Sequence, residues 1–274
     1  CFNVESLPEL KLIAEMASNK SIIANVALRV NPNIDAHTHH YITTGLEENK
    51  FGIALEMLDD AISVCLRQPN IRLCGLHFHI GSQITYMEPY RILCERVAQL
   101  MKKYSAQGIR FDIINVGGGL GIDYDDPDSQ LIPKFKEFFD IFRNNLNLAP
   151  GQQLHFELGR SVVAQCGSLI TRVLYVKEGV GKKFIIVDAG MTDLIRPALY
   201  GAHHKIENLT SDSSLTDEYD VVGPICESSD CFGKDEILPV THRGDILALR
   251  SAGAYGEVMA MGYNMRPIPA SVVS

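Results

Sequence analysis

The sequence lacks the features that mark several specialised classes of protein. No apolar run approaches the length needed to cross a membrane. Basic residues are not in excess, because 25 Lys and Arg stand against 33 Asp and Glu, for a formal net charge of -8. An acidic balance argues against nucleic acid or an anionic membrane as a partner. The sequence therefore predicts a soluble protein with neither partner, and the charge leaves the substrate open.

The cysteines also lack the spacing of a metal or disulfide framework. There are seven, an odd number, and no two form a CxxC pair. This distribution favours free thiols in a reducing cytoplasm. The remaining composition, 46% hydrophobic and 21% charged, is typical of a globular protein. A chain of 274 residues can form one large domain or two ordinary ones.

Short apolar runs alternate with longer amphipathic runs in the first half of the chain. The predicted strands are 2–4, 24–30, 73–80, 113–116 and 154–157. The predicted helices are 7–17, 54–66, 90–104 and 131–146. This alternation predicts right-handed crossovers and a parallel sheet. Five such strands do not close an eight-stranded barrel, whereas an open doubly wound sheet could use five.

The pattern changes after about residue 165. Short β-rich runs separated by turns predict strands at 171–177, 184–188, 219–222 and 245–249. The polar segment 208–217 is predicted to be a surface loop. We therefore divide the chain into 1–166, a helix-containing domain, and 167–274, a mainly antiparallel β domain.

Polar and glycine residues cluster where the predicted strands of the first half end. His79 follows one strand, Gly117 to Gly119 follow the next, and Glu157 and Arg160 follow the last. In (β/α)8 barrels the site is built at that edge, and phosphate is often bound after the last two strands. Glycines let backbone N–H groups approach an anion, and an arginine adds a charged contact. A flexible loop is the alternative interpretation of a glycine triplet.

Pairs of histidines raise the alternative of a metal site. His77 and His79 lie on one side of a strand, as in hydrolytic barrels with an HxH strand. The following strand ends carry glycines and Glu157, however, and a pair of hydrogen-bonded core histidines is the default interpretation of HxH. The histidines at 37–40 and 203–204 do not repeat this strand-end position, and we interpret them as loop residues. We predict no metal site.

Seven motifs, in order along nearly the whole chain, resemble pyridoxal-phosphate-dependent decarboxylases of the alanine-racemase-like barrel fold. They are 75–83 (GLHFHIGSQ), 115–119 (NVGGG), 157–160 (ELGR), 188–191 (DAGM), 196–200 (RPALY), 223–230 (GPICESSD) and 253–255 (GAY). The resemblance implies an α/β fold. A TIM-like (β/α)8 barrel, represented here by its last five strands, is followed by a mainly antiparallel β domain that is incomplete at its end.

The resemblance also implies pyridoxal 5'-phosphate as cofactor and assigns residues to it. His79 would stack on the pyridine ring, Glu157 would face the ring nitrogen, and Ser82 would bond near the phosphate. The phosphate would be held by four further residues. These are Gly118, Gly119, Arg160 and Tyr255.

The second-half motifs are most similar to the branch of the family that decarboxylates meso-2,6-diaminopimelate to L-lysine, a step of lysine biosynthesis. Arg196 and Tyr200 would bind the distal carboxylate of this amino-acid substrate, and Arg160 and Tyr255 would share in substrate binding. Glu227 would take the distal amine.

Cys226 would act near the reacting carbon across the interface of a homodimer with shared sites. The resemblance places Cys226, Glu227 and Asp230 against a neighbour's barrel, with Lys50 as a candidate partner of Asp230. A small buried hydrophobic residue is the alternative role for Cys226.

The family's cofactor-binding lysine lies on an early strand, and no lysine here has that context. We therefore expect a chain that lacks the N-terminal part of the barrel and is inactive by itself. Two alternatives stay open. One is a decarboxylase of another basic amino acid, such as ornithine, arginine or carboxynorspermidine. The other is a non-catalytic relative.

Overall fold

The computed structural model describes residues 1–34 and 50–273. The chain divides into two compact units. The first consists of Cys1–Gly121 and Lys134–Leu158, and the second of Ile122–Pro133 and Gly159–Ser274. The segment Ile122–Pro133 thus leaves the first unit for the second, and the chain then returns. The domain division at residue 166 stays a prediction.

The first unit is built on a parallel sheet. Its strands are β1 (Phe2–Val4), β2 (Ala24–Asn31), β3 (Ile53–Ala54), β4 (Ile71–His77), β5 (Ile113–Asn115) and β6 (Gln153–His155). Five of them run in the order β1-β2-β4-β5-β6, and β3 pairs with the end of β2. The predicted alternation of strands and helices and the parallel sheet are confirmed.

Four helices belong to this unit, and two begin later than the sequence predicted. They are α1 (Leu7–Asn19), α2 (Leu58–Arg67), α3 (Glu88–Ser105) and α4 (Phe135–Asn145). Residues 54–57 instead form the end of β3 and a 3-10 turn before α2. Helix α4 starts after Pro133 because a proline disfavours helical geometry in the residue before it.

Helix α1 shows how the sequence sets a helix start. Ser6 has extended geometry and its hydroxyl accepts the N–H of Glu9 at 3.3 Å, as expected of an N-cap. Pro8 lies in the first turn, where its missing N–H costs nothing. The Glu9 carboxylate reaches back one residue further than a capping box requires and accepts the N–H of Glu5 at 2.6 Å.

An aromatic cluster connects α3 and α4 to the ends of the strands. Tyr90 of α3 lies edge-on to Phe138 of α4, with ring centroids 4.9 Å apart. Phe156, just after β6, lies 5.6 Å from Phe138 and 5.3 Å from Phe142. The Tyr90 hydroxyl donates to the carbonyl oxygen of Gly118 at 3.3 Å. Packing between two helices therefore supports the backbone that follows β5.

The second unit contains a mixed sheet and two short helices. Its strands are β7 (Leu169–Glu178), β8 (Lys183–Val187), β9 (Ile206–Asn208), β10 (Thr216–Val222), β11 (Cys231–Pro239) and β12 (Ile246–Leu249). Its helices are α5 (Arg160–Val163) and α6 (Arg196–Tyr200). The strand order is β11-β10-β8-β7-β12-β9, and only β8 with β10 pair in parallel among these neighbours.

The sheet of the second unit is nearly closed, because β9 at one edge also lies near β11 at the other. Apolar side chains from its strands fill the interior, among them Val173, Ile185, Tyr219, Phe232 and Leu247. The predicted polar loop is confirmed between β9 and β10, although its first residue belongs to β9 and its last two belong to β10. The sequence pattern does not predict β9 or β11.

We expect the buried centre of the aromatic cluster to carry much of the stability of the first unit. Phe138 is 0% exposed and its neighbour Phe139 is 36% exposed. Phe138→Ala should cost about 3–5 kcal/mol of unfolding free energy and lower Tm by roughly 10 °C, because it leaves a cavity. Phe139→Ala, the matched control, should cost about 1 kcal/mol. Equal shifts in thermal unfolding would contradict this assignment.

Candidate active site

The first unit brings together the residues that follow β4, β5 and β6. The Gly118 N–H points at His79 Nδ1, at 3.3 Å. The Glu157 N–H donates to the Gly117 carbonyl at 2.7 Å. The three segments therefore lie side by side at the carboxyl edge of the sheet, the edge at which parallel barrels build their sites.

The Glu157 carboxylate is held from two neighbouring strands. Asn115 Nδ2 donates to Glu157 Oε1 at 2.8 Å, and His77 Nε2 lies 3.2 Å from Glu157 Oε2. Burial, the largest cause, lowers the pKa of His77, so a neutral ring donates through Nε2–H. The Glu157 side chain is still 42% exposed. A carboxylate fixed in direction and open on one side can accept a proton-bearing group of a ligand.

His79 is held as a neutral ring. Its Nδ1 accepts the Gly118 N–H, which leaves the proton on Nε2. Burial first, and then the positive charge of Arg29, lower the pKa of His79 to about 4. A half-buried, uncharged and flat ring is suited to stacking on an aromatic ligand.

Close approach of the backbone explains the glycine triplet. A Cβ on Gly118 would overlap the Glu157 carbonyl oxygen, and one on Gly119 would overlap that of Gly81. Gly119 also has φ +95°, a conformation that side chains disfavour. The Gly118 N–H already bonds His79, so the phosphate role of these glycines stays a prediction.

Ser82 lies in the segment packed against the glycine loop. It is half-buried and follows β4. Two residues later, the Ile84 N–H donates to the Gly119 carbonyl at 2.9 Å. Ser82 is thus carried by the same pair of strand-end loops as the glycines.

The second unit brings together two buried arginines around one tyrosine. Arg160 Nη1 donates to Tyr124 Oη at 2.7 Å, and Arg196 lies over the Tyr124 ring, its Cζ 4.6 Å from the centroid. Arg160 also lies over the ring of Tyr255, 4.8 Å from its centroid. Arg196 begins α6, and Tyr200 ends that helix one turn later. These groups form a cationic centre lined by aromatic rings.

A neutral histidine completes this cationic centre. His204, 0% exposed, places Nε2 2.7 Å from Arg196 Nη1. Burial, above all, lowers the pKa of His204 to about 4 and also lowers the pKa of Arg196. Neither His204 nor Tyr124 was predicted from the sequence to be a site residue. The signal for His204 was its position shortly after the RPALY motif, where we interpreted the pair 203–204 only as loop residues.

The segment 226–230 divides into an exposed and a buried part. Cys226 and Glu227 are exposed, and the Ser229 hydroxyl donates to Glu227 Oε1 at 2.9 Å. A hydrogen bond to Glu227 raises the pKa of the Tyr263 phenol. Tyr263 therefore contacts the carboxylate predicted to bind the substrate amine.

The expectation that Asp230 reaches a neighbour and pairs with Lys50 is wrong for its carboxylate. Asp230 is 3% exposed, and its carboxylate oxygens accept the N–H groups of Met191 and Ile225, each at 2.6 Å. Lys50 lies instead over the Phe51 ring, its Nζ 5.1 Å from the centroid. Asp230 fixes the turn of its own chain because buried N–H groups need an acceptor.

The other histidines give no support to a metal site. Within residues 1–34 and 50–273, no group of three or more His, Cys, Asp or Glu could hold a metal ion. The histidines at 37–40 lie outside the described residues. His203 Nδ1 contacts Asp125 Oδ1 at 2.6 Å, and its Nε2 lies 3.4 Å from Glu236 Oε1.

Among the helices of the described ranges, none combines the length and the apolar character that a membrane-spanning helix needs.

Comparisons with known proteins agree with the resemblance that the sequence motifs show. Residues 1–164 match the family model described as pyridoxal-dependent decarboxylase, pyridoxal binding domain. A diaminopimelate decarboxylase of Bacteroides thetaiotaomicron is 59% identical over 274 residues, which are 100% of this chain and 71% of that protein. One of Neisseria meningitidis serogroup B is 43% identical over 273 residues, 100% of this chain and 65% of that protein.

A solved structure shows the same fold. The crystal structure of diaminopimelate decarboxylase from Helicobacter pylori complexed with L-lysine matches with a TM-score of 0.90 and 43% identity. The match covers 97% of this chain and 66% of that one. The barrel and β-domain architecture implied by the sequence motifs is therefore confirmed.

We expect His79 and His204 to remain uncharged well below neutral pH. Because their folded pKa of about 4 lies below the ordinary value of about 6.5, the unfolded chain binds more protons between these values. Stability should therefore fall as pH is lowered through that window. Ring ¹⁵N spectra, assigned with His79→Gln and His204→Gln, and urea unfolding midpoints test this. Imidazolium signals from either residue at about pH 6 would contradict it.

Proposed function

The chain belongs to the family of pyridoxal-dependent decarboxylases, and from this membership we propose that its protein decarboxylates meso-2,6-diaminopimelate to L-lysine. The chain spans 71% and 65% of the length of two diaminopimelate decarboxylases that it matches. The proposal therefore concerns the protein expressed from its complete coding sequence. The relative from Helicobacter pylori, complexed with L-lysine, supports an amino acid of this kind as the ligand.

The observation that supports diaminopimelate as the substrate is the buried guanidinium of Arg196. It is 5% exposed, and its neighbours at hydrogen-bonding or stacking distance include His204 and Tyr124, which are uncharged. No carboxylate of the described residues lies within 4.0 Å of it. A buried charge needs a partner, and the planar guanidinium fits a carboxylate through two parallel hydrogen bonds. Diaminopimelate has a second carboxylate for this role, whereas ornithine and arginine have none.

The residues of the first unit suit pyridoxal 5'-phosphate. When bound, the cofactor supplies an electron sink for the electron pair left as carbon dioxide departs. Glu157, directed by His77 and Asn115, would hold a proton on the ring nitrogen. His79 would cover one face of the ring without adding charge.

The phosphate assignment combines backbone N–H groups with a cation. Arg160 offers a charge and Tyr255 a hydroxyl, and the two are already stacked. Ser82 and Gly119 would add donors from the strand-end loops. Gly118, whose N–H already bonds His79 Nδ1, would let the backbone approach the phosphate.

The carboxylate and the amine at the distal end of the substrate would be bound by different residues. Arg196 and Tyr200 would bind the distal carboxylate, with Arg160 and Tyr255 contributing. Glu227 would bind the distal amine, and Tyr263 and Ser229 hold its carboxylate in direction. This leaves the proximal end for reaction.

Substitution of Arg196 tests the substrate. In the protein from the complete coding sequence, Arg196→Lys keeps the charge but loses the paired hydrogen bonds, so KM for meso-diaminopimelate should rise about 10-fold or more. Arg196→Ala should lower kcat/KM at least as far, while Arg243→Ala, an exposed arginine, should change neither value. Release of carbon dioxide measures both constants. An unchanged kcat/KM in Arg196→Ala would show that Arg196 does not bind the distal carboxylate.

We also propose that the protein acts as a cytoplasmic homodimer with shared sites. Cys226 and Glu227 support this because both are exposed on a loop of the second unit, where a neighbouring subunit can be reached. Cys226 would then act near the reacting carbon of the neighbour's site. The cytoplasm is supported by seven free cysteines.

Mixing two inactive variants tests the shared site. If Glu157 and Cys226 of one site come from different subunits, Glu157→Ala mixed with Cys226→Ala should recover up to roughly a quarter of the wild-type activity. This follows from random pairing across a two-fold interface, where half of the dimers contain one intact site. Each variant alone should remain inactive under the same assay. Absence of recovery after demonstrated subunit exchange would mean that one chain builds each site.

A further inference from the structure

Arg196 needs an external constraint to hold its direction. An arginine side chain has several rotatable bonds, and fixing it costs conformational entropy. Helix α6, which it begins, is only five residues long and ends at Gly201 with a left-handed φ of 60°. That turn reverses the chain and returns it to Arg196 eight residues later, at His204.

The hydrogen bonds of His204 define its tautomer. Nδ1 lies 2.8 Å from the carbonyl oxygen of Arg250, which can only accept, so Nδ1 carries the proton. Nε2, 2.7 Å from Arg196 Nη1, is then the acceptor. The pKa of His204, lowered to about 4 mainly by burial, keeps the acceptor lone pair available at neutral pH.

The carbonyl that orients His204 is itself held in place. The Arg250 N–H donates to the Lys205 carbonyl at 2.9 Å. The Arg250 side chain bonds Asp128 at 2.9 Å and Glu207 at 2.6 Å. The imidazole also meets the Tyr124 ring edge-on, with centroids 5.0 Å apart. His204 therefore has a fixed position as well as a fixed tautomer.

We propose that His204 is a positioning residue that directs the Arg196 guanidinium toward the substrate's distal carboxylate while leaving its positive charge unneutralised. This inference rests on the proposed function. A carboxylate in the place of His204 would fix the guanidinium equally well but would form an ion pair with it, and the site would lose its attraction for an anion. A neutral acceptor avoids that competition.

Two inhibitors separate positioning from general damage. L-Lysine keeps the distal carboxylate of diaminopimelate, and cadaverine (1,5-diaminopentane) lacks it. In the full-length protein, His204→Leu removes the acceptor of Arg196. The inhibition constant of L-lysine should therefore rise about 10-fold, as expected for a lost hydrogen bond to a charged group. That of cadaverine should change less than about 2-fold. KM for diaminopimelate should rise together with the inhibition constant of L-lysine, and kcat should change far less.

Two further variants of similar size keep the test decisive if His204→Leu does not fold. His204→Gln retains a neutral acceptor and should restore most of the affinity for L-lysine. His204→Glu supplies a negatively charged acceptor and should weaken inhibition by L-lysine relative to inhibition by cadaverine. His242→Ala, at an exposed histidine of the same unit, is the control and should leave both constants unchanged.

The outcomes distinguish this inference from the proposed function. A wild-type protein that does not decarboxylate diaminopimelate overturns the proposed function, whatever the variants do. An active wild type in which all three His204 variants keep the wild-type ratio of the two inhibition constants overturns the positioning role alone. Equal weakening of both inhibitors would show a merely structural role and would overturn it as well.

Discussion

The second unit depends on a buried guanidinium that no carboxylate neutralises within residues 1–34 and 50–273. Arg196 has lost most of its water and stacks on Tyr124. Its neighbour around that ring, Arg160, carries the same charge and is also buried. Two such charges so close to one phenol repel each other. A protein retains an arrangement of this cost where an anionic ligand can relieve it.

The first unit solves the opposite problem by similar means. There the charged group is the Glu157 carboxylate, and its direction comes from Asn115 and from His77 acting as donor. In the second unit His204 acts as acceptor to Arg196. Burial keeps both imidazoles uncharged, and the other hydrogen bond of His204 selects its tautomer. Histidine thus serves in both units to orient a charge without cancelling it.

The sequence predicted most of the elements that bear the site. Alternation of apolar runs located β4, β5 and β6, and the residues after them share one edge because parallel strands end at the same side. The missed strands are those whose sequence shows little periodicity. Strand β11 carries charged residues along its exposed face, so its alternation is weak, and β9 is too short to show a period.

The site residues that were wrongly assigned or missed depend on tertiary contacts. Motif similarity assigned Asp230 to a neighbouring subunit, but the residue turns inward because two backbone N–H groups need its carboxylate. His204 was missed because its partners, Arg196 and the Arg250 carbonyl, are distant in sequence or hidden by the turn at Gly201. Tyr124 was missed because only the folded chain shows that its segment belongs with the β domain.

The crowding around Gly118 has a consequence for genetics. Any other amino acid there would collide with the main chain at Glu157 before it met a ligand. A screen for inactive alleles would therefore recover this codon regardless of whether the residue contacts a cofactor. Loss of activity at such a position carries no information about chemistry. Only probes that alter the amide without adding a side chain, such as replacement of the peptide bond by an ester, can assign its role.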